Sequence, residues 1–124
     1  YQSEKLLNPL YVKINKAETV IYISFSGGHK IVAYDTSWNA LFTSTDQKLE
    51  YPFGFDTDRE SNIYLCLNTL SKVMQLSSDG KLIKTLITKE RQERPLTVRF
   101  YRGMDRFIVT YATCDVVEVY DMRD

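Results

Sequence analysis

The chain carries one histidine, His29, and two cysteines, Cys66 and Cys114. His29 lies in the turn-like stretch Gly27–Lys30. As a metal ligand it would need cysteine or histidine partners at fixed spacing, and none stand near it. As a catalytic base it would need an oriented nucleophile. It reads instead as a solvated turn residue. Two cysteines are too few for the disulfide framework of a short secreted domain, so both read as reduced thiols. The strongest charge feature runs from Lys81 to Arg106, with eight basic residues and three acidic ones. A basic cluster on one face suits phosphate contact, and arginine forks equally suit a carboxylate on a protein partner. Glu90 and Glu93 interrupt the run. Asp115–Asp124 balances it, with four acids against one base.

Positioning those residues requires a scaffold, and the prolines reveal it. Pro9, Pro52 and Pro95 stand 43 residues apart. After each comes an alternating apolar run: Leu10–Ile14, Phe53–Asp56 and Leu96–Phe100. A polar turn follows, then Val20–Ile23, Ile63–Leu67 and Phe107–Tyr111. A second turn leads into Ile31–Tyr34, Val73–Leu76 and Val116–Tyr120. The first two units add a fourth run, Ala40–Thr43 and Lys81–Leu86. Four strands recurring at this period describe a propeller blade. The expected fold is all-β: a partial propeller of about three four-stranded blades, at residues 8–45, 51–86 and 95–120, with only three runs in the last. Residues 1–124 form a single such segment. It is expected to be the C-terminal part of a six-bladed propeller, with sequence upstream of Tyr1 removed. An antiparallel sandwich of about eleven strands is the alternative, but a sandwich does not require repetition.

This topology assigns the charges to places. In a propeller, the loops between second and third strands share a face with the loops that join consecutive blades. Lys48, His29, Lys30, Lys89, Arg91 and Arg94 are therefore the candidate face for a protein partner or RNA, alongside Thr69 and Ser71. No base-stacking aromatic lies within Thr88–Arg94, which weakens single-strand RNA recognition. A metal held in the central channel would need inward acids, histidines or asparagines from several blades. The inner strands offer Lys13, Asn15, Asp56, Asp58 and Arg99, a set mixed in sign and different in each blade. Tyr22, Phe25, Tyr34, Phe42, Phe53, Phe55, Tyr64, Phe100, Phe107 and Tyr120 fall at strand periodicity and read as core between blades. Trp38 sits in a turn, either over a blade edge or as an exposed anchor.

Composition sets the remaining bounds. The 124 residues are 44% hydrophobic and 13% aromatic, enough for a buried core. Formal net charge is zero, which removes the simplest argument for nucleic acid, and no DNA partner is expected. No apolar run approaches the ~18 residues that cross a bilayer, and no basic-then-apolar leader opens the chain. A cytoplasmic protein with no cofactor and no membrane partner is the expectation. Three blades in an open arc leave an apolar face at each end, an expected site of self-association.

Blade two also carries a motif. Tyr51-Pro-Phe-Gly-Phe-Asp56, Ser61-Asn-Ile-Tyr-Leu-Cys66, Lys72-Val-Met-Gln-Leu76 and Ser78-Asp-Gly-Lys-Leu-Ile-Lys-Thr-Leu86 together resemble one NHL repeat. Blades one and three match more loosely, with Leu10-Tyr11 and Leu96-Thr97 where blade two keeps Phe53-Gly54. Blade two has Leu67-Asn68 in place of the usual second aspartate. Divergent propellers of this kind resemble the C-terminal domains of tripartite-motif (TRIM) proteins of invertebrates, molluscs especially. That resemblance implies a non-catalytic recognition or scaffold module, recruiting substrate for a ubiquitin ligase whose activity lies in other domains. The alternatives are an RNA-binding propeller acting through the basic loop face and a metal-dependent propeller enzyme.

Overall fold

The computed structural model describes residues 9–25, 29–45, 49, 51–90, 93–101, 105–112 and 116–121. They form three separate antiparallel sheets, each built from strands consecutive in sequence. The first contains β1 (Pro9–Ile14), β2 (Ile21–Phe25), β3 (Lys30–Tyr34) and β4 (Ala40–Thr45). The second contains β5 (Pro52–Thr57), β6 (Ile63–Leu67), β7 (Lys72–Leu76) and β8 (Leu82–Thr88). The third contains β9 (Pro95–Phe100), β10 (Arg106–Tyr111) and β11 (Val117–Asp121), three strands among the described residues. The expected blades are therefore present, and a single continuous sandwich is not. Each of the three prolines opens its strand, where a missing N–H costs the ladder least.

The turns explain why each polar stretch reverses the chain. In the β1–β2, β3–β4, β5–β6 and β7–β8 connections, the backbone N–H of Glu18, Trp38, Ser61 and Gly80 donates to the carbonyl three residues earlier. All four residues have positive φ, between 59° and 85°. That is a tight turn followed by a left-handed residue, a standard hairpin closure. The opening side chain locks each one. The Asp35 carboxylate accepts from the amides of Ser37 and Asn39, and Asp58 accepts from Glu60 and Asn62. Asn15 and Ser77 play the same part through their side-chain oxygens. Glycine is needed in the last of these turns, because a Cβ at Gly80 would stand 2.4 Å from the Phe42 ring.

Alternation within the strands produces two interfaces. Tyr22, Ile31 and Ala33 of blade one meet Phe55, Ile63, Leu65, Leu67, Met74 and Leu76 of blade two, with Leu49 among them. Tyr64, Cys66, Val73 and Ile87, on the other side of blade two, meet Val98, Phe107, Val109 and Tyr111 of blade three. Both faces of blade two are thus covered, so β6 is buried along its whole length. Edge-on aromatic contacts add to each interface, Tyr11 on Phe55 at 5.2 Å and Tyr64 on Phe100 at 4.6 Å. Phe25 and Tyr34 depart from the expected pattern. They belong with Ile21, Ile23 and Val32 to a third cluster, on the face of blade one turned away from blade two. The cause is strand parity, which sends alternate residues to opposite faces.

The inner strands β1, β5 and β9 lie side by side, and a buried carboxylate joins all three. Asp56 on β5 is 5% exposed. Its Oδ1 receives Lys13 Nζ from β1 at 2.7 Å and its own neighbour's amide, Thr57 N, at 2.9 Å. Its Oδ2 accepts the Phe100 amide of β9 at 2.7 Å. Two positions earlier, Gly54 leaves room for β9, since a Cβ there would stand 2.7 Å from the Leu96 carbonyl oxygen. Asp56→Ala would leave a partly buried lysine and a backbone donor unpaired. It is expected to cost about 3 kcal/mol in urea unfolding, with Asp56→Asn costing less because it can still accept from Phe100. Gly54→Ala is expected to cost about 1–3 kcal/mol by forcing two backbones apart.

Candidate functional site

The loop face gathers at one end of the blades, held by hydrogen bonds between successive loops. The Lys89 amide donates to the Ser71 carbonyl at 2.8 Å, and the Ala112 amide donates to the Arg94 carbonyl at 2.9 Å. Asn68 Nδ2 reaches the Pro95 carbonyl at 3.4 Å. At the blade one end, the Tyr51 amide donates to His29 Nδ1 at 3.4 Å, and the two rings meet edge-on at 5.5 Å. His29, Ser71, Lys89 and Arg94 thus fall on one face. Lys48 and Arg91 lie outside the described residues.

The members of this face differ in what they offer. His29 is half-buried and ring-packed rather than a solvated turn residue. It takes a left-handed conformation, φ 48°, as does Tyr51 at φ 49°. Lys30 opens β3 and holds its ammonium 5.1 Å from the centre of the Phe25 ring. Arg94 is exposed. Lys89 is not a free loop cation. Its Nζ pairs with Glu118 Oε2 at 2.9 Å and with Glu93 Oε2 at 3.6 Å, and sits 5.8 Å from the centre of the Tyr111 ring.

Glu118 is the residue that sequence reasoning missed. It alternates with the exposed Val117 and Val119 on β11, and the pairing Val109↔Glu118 puts it on the side that meets blade two. Tyr111 and Tyr120 both donate their hydroxyls to Glu118 Oε1, the latter at 2.6 Å. Those two donors, with Lys89 beside them, hold the Glu118 carboxyl down at about 2. The Glu118 hydrogen bond in turn raises the Lys89 ammonium above its ordinary range. The signal in the sequence was a lone acid at a core-facing strand position, two positions before Tyr120.

The channel-side residues are also engaged. Lys13 and Asp56 form the ion pair described above. Asp58 holds its own turn and accepts the Tyr64 hydroxyl at 2.8 Å. Burial pushes the Tyr64 hydroxyl up, and its bond to Asp58 adds to this. Asn15 holds the β1–β2 turn, and Arg99 is exposed on β9. Among the described residues no three histidine, cysteine or acidic side chains group as a metal site would require. Cys66 is a free, buried thiol pushed up to about 12 by burial, an unreactive core residue. Cys114 lies outside the described residues. Trp38 is 43% exposed and leans edge-on against Tyr34 at 5.5 Å.

No family model matches the chain, and no curated protein matches it in sequence. Solved structures do match in shape. Hydrazine synthase of Kuenenia stuttgartiensis superposes with a TM-score of 0.79 at 14% identity, over 98% of this chain and 35% of that one. Virginiamycin B lyase from Staphylococcus aureus gives 0.73 at 12% identity, over 97% of this chain and 44% of the lyase. A luciferin-regenerating enzyme gives 0.67 at 21% identity, over 85% of this chain and 38% of that one. Likenesses at such identities show the fold alone: an arc of a β-propeller. The chain spans less than half the length of these structures.

The Glu118 cluster makes a measurable prediction. A carboxyl whose folded value is depressed stabilises the fold above its unfolded value of 4.5, and that contribution is lost as pH falls towards about 2. Glu118→Gln is expected to cost on the order of 1–2 kcal/mol at neutral pH, given that the site is partly open to solvent. The gap between wild type and variant should close in thermal melts taken from pH 5 down to about pH 2. A gap independent of pH would contradict the assignment.

Proposed function

We propose that the three blades are a non-catalytic recognition module of a larger propeller protein, and that the loop face holding His29, Tyr51 and Arg94 binds a protein partner. The observation that carries this reading is the internal pairing of Lys89 with Glu118 and Glu93. It removes the central cation of the basic run and leaves a face of mixed chemistry. The aromatic Tyr51 is 44% exposed at one end, and Arg94 is exposed at the other, with no ion-pair partner among the described residues. Aromatic and arginine anchors are what protein interfaces favour. Phosphate recognition needs several unpaired cations converging on one face.

The same pairing logic supports a non-catalytic role. Asp56, the most deeply placed acid of the inner strands, is committed to Lys13 and to a backbone amide. An NHL-like identity for blade two is supported by the duties of its motif residues. Gly54 admits the neighbouring strand, Asp56 joins the inner strands, Asn62 closes its turn against Asp58, and Gly80 accommodates Phe42. The tripartite-motif link and recruitment to a ubiquitin ligase rest on resemblance alone and form no part of this reading.

Two binding assays separate the outcomes. Partner capture should be lost with Tyr51→Ala/Arg94→Glu and kept with Trp38→Ala, a control in the β3–β4 turn. Binding to a random-sequence RNA pool should be weak at low salt and unchanged by Arg94→Glu. RNA affinity that falls steeply with salt and with Arg94→Glu would replace the protein-partner reading with RNA recognition.

A further inference from the structure

The contact between His29 and Tyr51 differs in kind from its counterpart one blade on. His29 is the last residue before β3, as Ser71 is before β7, and both are left-handed, at φ 48° and 53°. In blade two the tie to the connection that follows runs from backbone to backbone, Lys89 N to Ser71 O at 2.8 Å. In blade one the tie runs through a side chain, Tyr51 N to His29 Nδ1 at 3.4 Å. A peptide carbonyl accepts at any pH. An imidazole nitrogen accepts only while the ring is neutral, because the imidazolium carries a proton on both nitrogens.

Tyr51 has a reason to move if that bond is lost. It precedes Pro52, and a proline ring favours extended backbone in the residue before it. Tyr51 instead takes φ 49°, a left-handed conformation that residues with bulky side chains seldom adopt. Arg94, in the same position before Pro95, is not left-handed. Tyr51 thus departs from the preference of its own local sequence. The polar and ring contacts that hold it there are the His29 acceptor and the edge-on His29 ring at 5.5 Å.

We propose that His29 is a proton-sensitive latch on Tyr51. With the ring neutral, the proton sits on Nε2 and Nδ1 accepts the Tyr51 amide. Protonation sets N–H against N–H. The bond is lost, and Tyr51 relaxes towards the extended backbone that Pro52 favours, carrying its ring out of its place on the loop face. The titratable and charged groups nearest the latch are the Tyr51 phenol and Lys30, whose ammonium lies over the Phe25 ring. No carboxylate among the described residues pairs with His29. Asp46, Lys48 and Glu50 of the neighbouring connection lie outside the described residues. The consequence for binding, loss of the Tyr51 anchor at acid pH, rests on the loop-face role proposed above, whereas the latch itself does not.

The test is an NMR titration of the 124-residue chain between about pH 8 and pH 5, the interval over which an imidazole ordinarily gains its proton. Ring nitrogen shifts follow the His29 proton. Hydrogen exchange at the Tyr51 amide, corrected for its intrinsic pH dependence, follows the bond. Protection of that amide is expected to fall about tenfold, the worth of one hydrogen bond, with the same midpoint as His29. His29→Asn keeps a side-chain acceptor, tolerates left-handed backbone and does not titrate, so its Tyr51 amide should stay protected across the range. Protonation of His29 with undiminished protection in the wild type would overturn the proposal, by showing that the ring contact alone holds Tyr51. The same fall in His29→Asn would overturn it too. If that variant fails to fold, the wild-type titration decides. Both measurements use the chain without a partner, so failure of the latch is distinct from failure of the protein-partner reading, which the capture assays decide.

Discussion

The arrangement of the three blades depends on one carboxylate. A four-stranded sheet has no reason of its own to stand at a particular angle to the next, because apolar packing is non-directional. Asp56 supplies direction. It receives an ammonium from the strand before and a backbone amide from the strand after. In a site this buried a carboxylate without partners would be costly, so all three inner strands must approach in a defined order and spacing. Gly54 works with it by removing the side chain that would hold β9 away.

The apolar interfaces follow from that register. With β5 set between β1 and β9, Phe55 falls among blade one residues and Tyr64 among blade three residues. At the loop end the cluster around Glu118 repeats the principle in another form. One carboxylate, two tyrosine hydroxyls and a lysine tie β11 to the connection after β8. Both devices use up charges that would otherwise be open to ligands. What remains for recognition is the less saturated part of the loop face and the two outer blade faces.

Those outer faces differ in character. On blade one, Val12 and Ile14 are exposed above an inner layer of Ile23, Phe25 and Val32. On blade three the apolar residues are fewer, and Arg99 and two threonines stand among them.

Much of this was legible in the sequence, because a repeat declares itself locally. The proline spacing, the alternation that follows and the turn residues Asp35, Asp58 and Gly80 each act within a few positions. Strand order and blade number therefore needed no knowledge of distant contacts. The candidate site was less legible, because pairing is decided across the fold. Lys89 and Glu118 are 29 residues apart, and only the stacking of blade three on blade two brings them within 2.9 Å. Likewise the sequence placed Lys13, Asp56 and Arg99 on the inner strands. Strand parity and blade contact then turned the first two into a structural bond and left the third facing outward.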